Sequence, residues 1–113
     1  MNTPSQLPPY VKEADANFIS VKTDNTPEVA AFLGGAGFER RPDRDGLFIK
    51  YVPDDDAKVQ LFKELREYGI CFSVGREWSP AEMFEWLRDQ GRLSGKFKAI
   101  AWKGPDNWFI REQ

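Results

Sequence analysis

From Asn17 onward the apolar positions fall into short alternating runs and longer helical stripes, divided by turn residues. Phe18-Ile19-Ser20-Val21-Lys22 alternates and predicts a strand. Thr26-Pro27-Glu28 then sets a capping residue before a proline at the first helical position. Val29, Phe32, Leu33 and Ala36 follow at the spacing of one helix face, and Gly37 is placed to end that helix in a left-handed cap. Residues 38–41 and 47–52 read as two strands joined through Pro42-Asp43-Arg44-Asp45-Gly46, whose Asp-Gly step supplies the positive backbone dihedral of a hairpin. Asp54, Asp55 and Asp56 open a second helix carrying Leu61, Phe62, Leu65 and Tyr68, with Gly69 as its stop. Residues 70–74 predict another strand. Ser79-Pro80-Ala81-Glu82 is a capping box with proline in the first turn, and the helix it starts runs to about Gln90. Residues 97–102 and 107–111 close as a hairpin over Lys103-Gly104-Pro105-Asp106.

These elements predict an α+β fold in the order β-α-β-β-α-β-α-β-β, a mostly antiparallel sheet with three helices. The first six have the order of a ferredoxin-like split unit, with a helix and a hairpin added after them. Residues 1–16 carry Pro4, Pro8 and Pro9 and no apolar period, which predicts an extended tail whose removal leaves stability unchanged. Residues 17–113 form the single domain that a chain of 113 residues is expected to make.

Composition narrows the chemistry. Eighteen acidic against 16 basic side chains leave a net charge of −2, too weak a field to steer the whole chain to nucleic acid. Nothing in residues 1–10 reads as a secretion signal and no apolar run approaches a membrane span, so no membrane association is expected. Cys71 is the single cysteine, which precludes an intrachain disulfide and fits a cytoplasmic setting, in a cell or an infected host.

The chain has no histidine, hence no imidazole base, triad or histidine metal ligand. No metal site and no cofactor are expected. Gly34-Gly35-Ala36-Gly37 lacks the Lys-Ser/Thr of a phosphate loop and ends a helix instead of opening one. Three adjacent aspartates at a helix start are accounted for by capping and by the helix dipole. Cys71, in an apolar strand without a base to activate it, reads as a packed residue. The expectation is a protein that is not an enzyme.

What remains is surface. Nine Phe, four Trp and three Tyr are a large aromatic share, and tryptophans fall near element ends. Trp78, Trp86, Trp102 and Trp108, with Lys98, are the candidate partner-binding residues, since exposed tryptophan recurs among interface anchors. The leading expectation is a small non-catalytic binding protein, an inhibitor or adaptor of the kind phages and mobile elements encode, acting on a protein partner. The alternative is a single-stranded nucleic-acid binder. Alternation sends Ile19, Val21, Leu47, Ile49, Tyr51, Ile70, Phe72 and Val74 towards the helices. It leaves Phe18, Lys22, Phe48 and Lys50 on the opposite face, where rings could stack on bases and ammonium groups meet phosphates.

Overall fold

The computed structural model describes residues 8–15, 17–23, 27–41, 46–75, 79–104 and 107–113. Among the described residues, seven strands and three helices follow one another as β1 (Tyr10–Ala14), β2 (Phe18–Lys22), α1 (Pro27–Gly35), β3 (Glu39–Arg40), β4 (Leu47–Tyr51), α2 (Asp55–Tyr68), β5 (Cys71–Ser73), α3 (Pro80–Asp89), β6 (Lys98–Gly104) and β7 (Asn107–Glu112). All strands join one sheet in the order β3-β4-β2-β1-β5-β6-β7.

The central strand is the one that sequence reading assigns to a tail. Tyr10–Ala14 pairs antiparallel with β2 and parallel with β5, so a strand lies where the extended tail is expected. Val11 stands between Val21 and Phe72, and all three are fully buried. Pairing on both edges, not local propensity, makes this segment a strand. Pro8 and Pro9 do not oppose it: they precede the ladder, and the Pro9 carbonyl accepts from the Cys71 N–H at 3.0 Å.

Two further expectations change with it. The sheet is mixed, because β1–β5 and β5–β6 are parallel while the remaining pairs are antiparallel. The ferredoxin-like order also fails to describe it, since β1 intervenes between β2 and β5. The three helices, and the strands at 18–22, 39–40, 47–51, 71–73, 98–104 and 107–112, match the elements expected from periodicity and turn residues. The Thr26 cap and the turn at 42–45 lie outside the described residues.

Helix ends follow local chemistry. Asp54 caps α2 by accepting from the Ala57 N–H, and Gly69 closes it with φ 105°. Ser79 and Glu82 form the complete capping box of α3. All three helices pack on one face of the sheet. Leu33 of α1, Leu61, Phe62 and Leu65 of α2, and Met83, Phe84 and Leu87 of α3 share a core with Val11, Ile19, Val21, Phe48, Phe72, Phe97 and Ala99. Phe62, Phe72, Phe84 and Phe97 are its aromatic centre, with ring centroids 4.3 to 6.1 Å apart. Arg66 and Arg88 lie over Phe84 and Phe97 and donate to the carbonyls of Ser94 and Gly95, which fixes the 91–97 segment.

Deleting residues 1–14 removes the strand that joins the two halves of the sheet, so the truncated chain loses cooperative thermal unfolding. Val11→Ala leaves a cavity at the sheet centre and lowers stability by about 2 kcal/mol in denaturant titration. Ser79→Ala opens the α3 capping box and lowers stability by about 1 kcal/mol by the same measurement.

Candidate protein-binding face

Partners across an antiparallel ladder project their side chains to the same face, so register decides what each face displays. Val21 opposes Phe48 and Ile19 opposes Lys50, which places Phe48 and Lys50 on the helix side. Phe48 is buried in the core, and Lys50 reaches across it to donate from Nζ to the Ala36 carbonyl at 2.6 Å, satisfying the end of α1. Leu47, Ile49 and Tyr51 oppose Lys22, Ser20 and Phe18, and share the other face with them. The expected side of β4 is therefore reversed. Of the four residues proposed as a nucleic-acid platform, the fold keeps Phe18 and Lys22 together and removes Phe48 and Lys50.

None of the described helices covers this second face. Register adds Tyr10 and Glu13 of β1, Cys71 and Ser73 of β5, Lys98, Ile100 and Trp102 of β6, and Trp108, Ile110 and Glu112 of β7. Its rings gather at two ends. Phe18 and Tyr51 meet edge to face at 5.3 Å at one end, and Tyr10 and Trp102 meet at 5.7 Å at the other. Tyr10, Cys71 and Ile100 form a small buried cluster there, with Trp108 packed against it. Phe18, Tyr51 and Trp102 are exposed by 42, 62 and 38%. Exposed rings on a rigid sheet are a recurrent mark of a contact surface.

The tryptophans thus divide. Trp102 and Trp108 come together with Lys98 on the helix-free face. Trp86 is 47% exposed but belongs to α3, on the opposite side of the sheet. Trp78 lies outside the described residues. Phe18 lies on the face to which alternation assigns it, and Tyr51, Tyr10 and Ile110 are additional face residues outside the sequence-based candidates. Tyr10 required knowledge of β1.

One cleft of about 300 Å³ opens where the C-terminal ends of β1 and β5 meet the start of α3, lined by Lys12, Glu13, Asp15, Ser73 and Ser79 among others. Three of its polar side chains already have structural partners. Asp15 Oδ1 accepts from the N–H groups of Asn17 and Phe18, Ser73 Oγ donates to the Lys12 carbonyl, and Ser79 exchanges hydrogen bonds with Glu82. Pro80 has no N–H to offer an anion at the helix start. Among the described residues no group of three or more carboxylate or thiol ligands converges, and no helix is long and apolar enough to cross a membrane. Burial pushes the Cys71 thiol up from its ordinary value, partly offset by the charge of Lys98, and burial likewise raises the Tyr10 phenol. A thiol held protonated is a poor nucleophile. Comparison with known proteins found no matching family model, no matching curated protein and no matching solved structure.

Because both protons are held more tightly in the folded chain than in the unfolded one, their contribution to stability is complete below the ordinary thiol and phenol values, 9.0 and 10.0. It is lost as pH climbs through the raised folded values. Denaturation midpoints accordingly fall above about pH 9. Cys71→Ala removes the first part of that alkaline decline and Tyr10→Phe the later part, whatever either does to the neutral-pH plateau.

Proposed function

We propose that the chain is a non-catalytic binding protein, an inhibitor or adaptor, that docks a protein partner on the helix-free face of its sheet in a reducing, cytosolic compartment. The observation that carries this reading is the trio of exposed rings, Phe18, Tyr51 and Trp102, on a face none of the described helices covers. Large flat rings supply contact area at low entropic cost, and their surroundings are suited to a rim.

Charge favours a protein over a nucleic acid. The register-paired charges of the face are Lys22 and Lys98 against Glu13, Glu39 and Glu112, so phosphates would meet at least as many carboxylates as ammonium groups. A single-strand platform needs a positive groove beside its rings. Cys71 as a lone, buried, protonated thiol supports the reducing setting.

The test is affinity capture from native host lysate with the full chain, read by mass spectrometry and by nucleic-acid staining, followed by titration of the captured species. Trp102→Ala and Tyr51→Ala are expected to weaken binding by about 2 kcal/mol, roughly thirtyfold, while the thermal midpoint stays near the parent's. Asp54→Asn, which still caps α2, leaves binding unchanged. Capture of nucleic acid alone, with affinity that collapses as salt rises, would overturn the reading.

A further inference from the structure

We infer that β7 is a self-association edge, along which two copies of this chain join antiparallel to make one continuous sheet. This goes beyond the proposed partner face and rests on main-chain geometry. The two edges of the sheet are unlike. β3 has two residues, a length that offers little to pair with, whereas β7 has six. No strand lies outside β7 among the described residues. Phe109 and Ile110 are exposed along it, and neither proline nor a bulge interrupts residues 107–112.

The hydrogen-bond phase identifies which groups face outward. The Gln113 N–H donates to the Phe97 carbonyl at 2.9 Å, and these residues are opposite one another in the β6–β7 register. Antiparallel pairs alternate between bonded and non-bonded, so Arg111 and Phe109 also point their main-chain groups at β6. Trp108, Ile110 and Glu112 then point theirs away from the sheet. The Ile100 carbonyl confirms this phase, because it accepts from Val74 on the β5 side and is turned from Ile110.

Those outward groups select one register. Two β7 strands placed with Ile110 opposite Ile110 bring Trp108 opposite Glu112, so every outward N–H and C=O of the three residues finds a partner. Phe109 then faces Arg111 of the other copy, a ring beside a guanidinium. A slip of two residues towards the C-terminus sets Arg111 against Arg111, which is repulsive. A slip of two residues the other way sets Glu112 opposite a position before Asn107, where β7 begins, and leaves one of the three outward residues outside the ladder. An odd slip opposes outward groups with inward ones. Strand β7 is thus self-complementary about Ile110, and a second copy is the occupant it fits. The twofold axis stands perpendicular to the sheet and carries both helix-free faces on the same side.

Sedimentation of the full chain tests this, with a concentration-dependent dimer expected. Ile110→Pro removes an outward N–H and leaves the β6 ladder its own donors, so dimerisation weakens by at least about thirtyfold with the far-ultraviolet spectrum kept. Ile110→Lys, which opposes two ammonium groups at the axis, does the same without altering the backbone. Spin labels on single cysteines in a Cys71→Ala background give the register: label separation is least at 110 and grows to about 20 Å in main-chain terms at both 107 and 113. A chain monomeric at several hundred micromolar, a dimer that survives both Ile110 variants, or a shortest separation elsewhere overturns the inference. So does an edge that pairs only with a different protein. Dimerisation is read without any partner, so its failure leaves the partner face standing and can be told from failure of that reading.

Discussion

The pairing of β1 with both β2 and β5 is the interaction on which the rest of the structure depends. On one side of it stand β2, β4 and β3, and on the other β5, β6 and β7, and among the described residues the two groups do not pair directly. Val11, lodged between Val21 and Phe72, makes the join apolar at its centre. Polar contacts hold the rim: Ser73 Oγ donates to the Lys12 carbonyl, and Lys58 of α2 reaches from Nζ to the Asp15 carbonyl at 3.0 Å. The β1–β5 closure is distant in sequence, so its ordering entropy must be offset by burial along the strand. That demand explains why the strand is short and almost wholly interior at its apolar positions.

What sequence reading recovered is what local chemistry determines. Asp54, Gly69, Ser79 with Glu82, and Gly37 mark helix ends through atoms a few residues apart, and each does so in the structure. β1 is not legible because Tyr-Val-Lys-Glu-Ala has no periodicity of its own and becomes a strand only between β2 and the distant β5. β4 was found but turned over. Leu47, Phe48, Ile49 and Tyr51 are apolar on both sides of the strand, so alternation gives no preference and the more numerous set was assigned to the core. The Val21–Phe48 pairing decides the opposite. Lys50 follows Phe48 inward because its stem crosses apolar ground while its ammonium finds the Ala36 carbonyl.

The candidate site shows the same division. Aromatic abundance was visible in composition, and Trp102, Trp108 and Lys98 do share one face. Membership of that face, however, is set by register. It separates Trp86, an α3 residue, from the other two, keeps Phe18 where alternation puts it, and adds Tyr51, which alternation had turned inward. The same register removes the lysine–aromatic alternation that suggested a phosphate-binding platform. Rings remain, and the charges around them become mixed.

The β6–β7 hairpin carries most of what the sheet can offer to another molecule, and its anchoring explains how an exposed strand stays ordered. β7 has little burial of its own. Its C-terminal end is held by α3, where Arg88 donates to the Gln113 carbonyl at 2.8 Å and Gln113 Nε2 donates to Glu85. Arg88 also donates to Gly95 and lies over Phe97, so one guanidinium ties the strand end, the preceding loop and the core. On the helix-free face Trp108 packs against the cluster of Tyr10, Cys71 and Ile100. A strand fixed at its end and through one side chain keeps its outward main-chain groups in a single row before anything binds. The entropy of ordering that row is then met during folding and not during association, which is the condition under which an edge of this length can bind at all.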